Sequence, residues 1–279
     1  MKKILVPSDF SEQSLNAFKF AIELAVRAKS QIHLLHVIEL PVLYDTTLMP
    51  ALSFEKEYLE DAAGLAKKTF TRMISKANKD LKISWSVGYG NPTSVILQEL
   101  KAGKFDLIAM GTKGATGLKE YFVGSNTEKI VRLSGVPVIS VPGQVGISSI
   151  KNLILATGFS GNQDSYITAV KKLQSFLNAT LHLVYVNTPA MFRKDNESMA
   201  LLNSFIKKYD LSGVKPVIVN DITEEEGVIN YAMNTGKCMV AMATHGRKGL
   251  AHILTGSVAE DVVNHIKFPV YTIRLDKKK

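Results

Sequence analysis

The residues with the plainest chemistry are Gly111-Thr112-Lys113-Gly114, then nine further residues, then Gly124-Ser125. They follow an apolar run, residues 105–110, and close where Ser125 and Glu128 have the spacing of a helix capping box. Strand, glycine loop and helix amino terminus together hold a phosphate well. Glycines let backbone N–H groups approach an anion, and a helix amino terminus adds roughly half a positive charge. Lys113 and Lys119 lie in the same loop. Turn glycines and a simple N-cap would use the same residue types, but three spaced glycines closing on a capping box favour the phosphate.

The elements that must carry this loop can be read from hydrophobic patterning. Residues 3–7, 32–37, 83–87, 105–110 and 136–141 are short apolar runs and predict strands. Residues 11–28 place Leu15, Phe18, Ile22 and Ala25 at spacings of three and four, a helix with one buried face. Further helices are expected over 53–78, from Thr93 after Pro92, and over 125–133. Strands without polar alternation are buried on both faces, which calls for a parallel sheet covered by helices on both sides. The glycine loop then leaves the carboxyl end of a strand, where open α/β sheets bind ligands.

The same pattern occurs twice. Residues 111–142 and 243–274 align without gaps at an offset of 132, with Gly114/Gly246, Gly124/Gly256, Ser125/Ser257 and Glu128/Glu260 among the identities. Near the amino ends the offset is 149, pairing Ile4-Leu5-Val6 with Leu153-Ile154-Leu155 and Phe10-Ser11 with Phe159-Ser160. The expected organisation is a first domain over 1–143 and a second over 149–276, joined by a linker around Gly143–Ser149. Each is a doubly wound α/β unit with a five-stranded parallel sheet and about four helices.

Length and composition bound the remaining classes. The chain has 279 residues, 46% hydrophobic and 21% charged, which suits two globular domains and excludes disordered, collagen-like and coiled-coil chains. One cysteine, Cys238, excludes an intramolecular disulfide framework and a multi-cysteine zinc site, and fits a reducing cytoplasm. The apolar run after Met1-Lys2-Lys3 is too short for a signal sequence, and no membrane span is expected. The net charge of +9 favours anionic partners. The strands lack the aromatic platforms of a single-strand nucleic-acid binder, so nucleic acid is not the expected partner. There is no Walker loop and no nucleophile elbow. The histidines show no metal-ligand spacing. His33, His36 and His182 fall on predicted strands as packed or surface residues, and His245 sits in the second glycine loop.

Gly-x2-Gly-x9-Gly-Ser after an apolar strand resembles the nucleotide-binding motif of the universal stress proteins. Ile4-Leu5-Val6-Pro7-Ser8-Asp9-Phe10-Ser11 resembles that family's first strand and loop, and Leu34-Leu35-His36-Val37-Ile38 its second strand. The resemblance covers nearly the whole chain as two tandem copies and implies a Rossmann-like, adenine nucleotide alpha hydrolase-like fold. For the family's ATP-binding branch it implies a nucleoside contact from Asp9, beside Pro7 and Ser8. It implies an adenine contact from the backbone of Val37. It implies a phosphate loop of Met110, Gly111, Gly114, Gly124, Ser125 and Asn126, with Mg²⁺ as a counter-ion to ATP. Read without the family, Asp9 is a helix-start residue ahead of Ser11.

The second copy departs from the pattern. Gly158 stands where Asp9 stands, and Ala243 replaces Gly111, while Gly246, Gly256 and Ser257 remain as a weaker anion site. The expected function is therefore ATP binding in the first domain of a stress-response regulatory protein that acts through an unknown protein partner. Two alternatives stay open: a slow ATPase or nucleotidyl transferase, and an adaptor that binds another anion or none. The two copies are expected to pair as an intramolecular pseudo-dimer through residues 136–141 and 268–274, with homodimerisation of the whole chain also open.

Overall fold

A computed structural model of the chain describes residues 1–39, 51–112, 125–159, 161–245 and 257–275; for residues 51–56, 125, 245 and 257 it describes the backbone alone. In the first half the strands are β1 (Lys3–Pro7), β2 (Gln31–Ile38), β3 (Ile83–Tyr89), β4 (Leu107–Gly111) and β5 (Val138–Val141). The helices are α1 (Glu12–Ala28), α2 (Ala51–Ser75), α3 (Pro92–Gly103) and α4 (Ser125–Leu133). The second half repeats the order: β6 (Asn152–Ala156), α5 (Asp164–Leu177), β7 (Thr180–Asn187), α6 (Asp195–Tyr209), β8 (Val214–Asn220), α7 (Glu224–Thr235), β9 (Cys238–His245), α8 (Ser257–His265) and β10 (Val270–Leu275).

All ten strands form one sheet in the order β3-β2-β1-β4-β5-β10-β9-β6-β7-β8. Pairing is parallel within each half and antiparallel only between β5 and β10. The apolar runs account for this burial. Ile4 and Val6 join one core cluster and Leu5 another, because successive strand residues face opposite sides. On one face Ile4 and Val6 share a continuous core with Leu153 and Leu155 of the second half. On the other face each half keeps its own core, against α3 and α4 in the first half and α7 and α8 in the second.

Local signals set the helix starts. Ser11 caps α1, its hydroxyl accepting from the Ser14 N–H at 3.3 Å. Asn91 caps α3 ahead of Pro92 in the first turn. The joining segment is packed, not loose: the Ile147 N–H donates to the Glu23 carboxylate at 2.7 Å, and Ile147 and Ile150 are buried.

The register between the halves obeys the repeat. Val270 faces Ser140, Tyr271 faces Ile139 and Thr272 faces Val138. An offset of 132 maps Ile139 onto Tyr271, so that pair sits on a pseudo-twofold axis and the flanking pairs exchange. This is an isologous contact made within one chain. It covers the sheet edge that each half would otherwise expose. Around it Arg274 donates to the Leu133 carbonyl at 2.9 Å, and Arg132 lies 3.9 Å from Glu260. Burial pushes the Glu260 carboxyl up; Arg132 pulls it down by less, and Glu128 and Asp261 add to the rise.

Candidate functional site

In each half the chain turns one way from its first strand to the next two, and the other way to its last two. The switch point lies between β1 and β4, and between β6 and β9. A crevice opens there at the carboxyl ends of the strands.

In the first half the register Leu5↔Ile108 sets Pro7 level with Met110 across the crevice. Ser8 is buried, its hydroxyl 3.1 Å from that of Ser14, and its N–H donates to the Leu35 carbonyl at 2.8 Å. β1 pairs with β2 only as far as Pro7↔Leu35, whereas β2 continues to Ile38. Parallel strands direct alternate residues to alternate neighbours. Leu35 faces β1, so Val37 also faces that side, where β1 has ended; its N–H and C=O have no strand partner among the described residues.

Asp9 is exposed and turns toward its own helix. Its Oδ1 accepts from the Ser11 N–H at 3.0 Å and from the Ser11 hydroxyl at 2.5 Å. Burial raises this carboxyl, but the Ser11 hydroxyl and N–H and the Ser14 hydroxyl outweigh it and hold the group below its usual range. The helix-start role is thus the one that the hydrogen bonds of Asp9 show.

His36, read from the sequence only as a packed or surface residue, organises this loop. Its Nδ1–H donates to the Ser8 carbonyl at 2.7 Å, and its ring stacks on Phe10 at 4.4 Å. Phe10 has a φ of 64°, a left-handed conformation that costs a residue with a Cβ about 1 kcal/mol or more. Contacts with His36 and Phe70 hold it there. The second half repeats the device: Phe159 has a φ of 55° and packs on Tyr185, which stands 149 residues beyond His36. That shared offset was the available signal.

At the far wall the Thr127 hydroxyl donates to the Gly111 carbonyl at 3.1 Å, tying the start of α4 to the end of β4. The Thr93 hydroxyl donates to Asn126 Oδ1 at 3.0 Å, tying α3 to the first turn of α4. Thus Pro7, Ser8, Asp9, Val37, Met110 and Gly111 lie at or just beyond the carboxyl ends of β1, β2 and β4, with Asn126 in the first turn of α4. Gly114 and Gly124 lie outside the described residues, as do Lys113, Lys119, Gly246 and Gly256; Ser125 and Ser257 open α4 and α8 by their backbone.

Gly111 carries a correction. A Cβ there would lie 2.3 Å from the Gln13 carbonyl oxygen, so the glycine is required by the close approach of α1 to β4, whatever it does for a phosphate. The second half solves the same contact differently. Offset 149 maps Glu12, the first residue of α1, onto Gly161, yet α5 begins only at Asp164. Without that first turn, Ala243 fits where Gly111 was needed. A cavity of ≈ 330 Å³ opens there, lined by Thr157, Gly158, Phe159, Ala243 and Arg193 among others.

Cys238 is buried, with its thiol pushed up to about 12 by burial, and packs as a small apolar residue. Among the described residues no three His, Cys, Asp or Glu side chains gather as metal ligands, and no helix is long and apolar enough to cross a membrane.

Comparison with known proteins agrees with this architecture. The family model described as "Universal stress protein family" matches residues 1–142 and again 149–274. Universal stress protein Slr1230 of Synechocystis is 23% identical over 301 residues, spanning 98% of this chain and all of that protein. Universal stress protein MJ0577 of Methanocaldococcus jannaschii is 30% identical over 153 residues, covering 50% of this chain and 94% of its own. The crystal structure of a universal stress protein from Archaeoglobus fulgidus superposes with a TM-score of 0.75 at 20% identity, covering 98% of both chains. With its domain matched twice and its tandem fold shared along nearly the full length, this chain belongs to the universal stress protein family.

Proposed function

We propose that the protein is a nucleotide-responsive regulator whose first-domain crevice binds ATP and whose output passes through a protein partner. The observation that carries this is Val37. Its N–H and C=O have no strand partner among the described residues beyond the end of β1 and offer one donor and one acceptor, the complement of an adenine edge. On this reading Asp9 would meet the ribose and the Asn126 amide would meet the phosphates. Gly111 and the backbone at Ser125 would meet the phosphate chain, with Gly114 and Gly124 completing the loop. Mg²⁺ bound with ATP would offset phosphate charge. The family resemblance supports the same assignment residue by residue.

A regulatory role is favoured over fast catalysis because Asp9, the carboxylate that the described residues place at the end of β1, is engaged with Ser11 and held below its usual range. A general base works best with a pKa near the operating pH. The deciding experiment is mass spectrometry of nucleotide released from freshly purified protein, followed by calorimetric titration with ATP. Absence of bound nucleotide together with no heat of ATP binding would overturn the proposal.

A further inference from the structure

We propose that the second domain binds a small, mainly apolar monocarboxylate in the cavity between the carboxyl ends of β6, β7 and β9. The volume of ≈ 330 Å³ is at the small end of ligand sites, about 300–1,000 Å³. Its walls combine apolar side chains, Val184, Val228, Met242 and Val258 among them, with polar ones such as Thr157 and Gln163.

The cation at its mouth is held in place from the backbone. Asn187, buried at the end of β7, accepts from the Arg193 N–H at 2.9 Å and donates to the Arg193 carbonyl at 3.1 Å. Asn220, at the end of β8, fixes that asparagine by accepting a further bond at 2.9 Å. Tyr185 holds the preceding residue pair by donating to the Met191 carbonyl at 3.3 Å. The Arg193 guanidinium itself has no hydrogen-bond or ion-pair partner among the described residues. Met191 and Phe192 beside it are 63% and 71% exposed, an apolar approach next to a positive charge.

The same mouth disfavours a nucleotide. Gly158 carries no side chain for the nucleoside contact that the family resemblance assigns to Asp9 in the first domain. Glu224 also lines the cavity and repels additional negative charge. Among the described residues, one arginine without a partner, one acid and several apolar side chains match a single carboxylate on an apolar body.

The test is calorimetric titration of the full chain with decanoate below its micelle concentration, with decanol as the uncharged control. One decanoate per chain should bind, with decanol weaker by about tenfold or more, since a charge-assisted contact is lost. Arg193→Glu should weaken decanoate by at least about tenfold and Arg193→Lys should restore part of it. Arg193 is exposed, so these variants should keep the fold. Gly158→Phe should block the site; a Cβ there meets nothing within 4 Å. No saturable binding, or binding equal in Arg193→Glu and wild type, would overturn the proposal. So would displacement of decanoate by one equivalent of ATP. Asp9→Ala should leave decanoate binding intact, so failure of the ATP assignment and failure of this one are read separately.

Discussion

Gly111 and Gln13 approach so closely that a methyl group on the glycine would overlap the Gln13 backbone carbonyl at 2.3 Å. Backbone cannot yield as a flexible side chain can. Gly111→Ala should therefore destabilise the protein by about 1–3 kcal/mol, the usual cost of overpacking. In the second domain Ala243→Gly removes no clash and should cost only about 0.5–1 kcal/mol through backbone entropy. Urea unfolding without nucleotide compares the two. Equal effects would show that the close approach of α1 does not constrain β4.

ATP binding should saturate at one per chain. Asp9→Ala should weaken it by about one to two orders of magnitude, the value of a charge-assisted contact of ~1.5–3 kcal/mol. Gly256→Val should leave the tight site nearly unchanged. Calorimetry decides, and two equal tight sites would reverse the assignment of which half keeps the nucleotide.

Asp9 also predicts an acid response. Its folded pKa lies below the unfolded value, so its contribution to stability is present above the unfolded value of about 3.8 and is lost as pH falls through the folded value. Asp9→Asn should lower stability at pH 7, differ little from wild type once the carboxyl is protonated in both states, and so flatten the dependence of unfolding on pH below about 4. A wild-type pH profile in the variant would contradict the Ser11 contacts.

Glu260 acts in the opposite sense. Its carboxyl is raised, so the native state holds a proton that the unfolded chain releases, and stability falls as pH rises from about 4.5 through the folded pKa. At neutral pH the charged form carries a penalty that Arg132 offsets only in part. Glu260→Gln should raise the melting temperature at pH 7, by less than about 1 kcal/mol in stability, and flatten that slope. Melting scans from pH 5 to about 8 would show it; a lower melting temperature throughout would make the Arg132 ion pair the dominant contact.

Arg274→Ala removes the bond to the Leu133 carbonyl across the pseudo-twofold axis. Loss of stability by about 1–2 kcal/mol is expected, with faster hydrogen exchange in β5 and β10. Exchange that stays as slow as in wild type would show that strand pairing holds the halves together without it.

Much of this was legible in the sequence because it is local or repeated. Continuous apolar runs such as Ile4-Leu5-Val6 read as strands buried on both faces, and two copies each with a sheet edge needing cover predicted that their last strands would meet. Pro92 marked the start of its helix directly. Tertiary structure alone decided what depends on distance in the chain. It set Ile139 opposite Tyr271 on the axis, and gave Gly111 a packing reason through Gln13, 98 residues away. It turned His36 from a strand residue into the support of the Ser8 carbonyl. It placed Arg193 at a cavity mouth through Asn187 and Asn220, which no periodicity links. Patterning reports which face of an element is apolar; which backbone atoms then come within 3 Å is fixed only when the elements pack, because the clash at Gly111 and the late start of α5 are properties of two elements together.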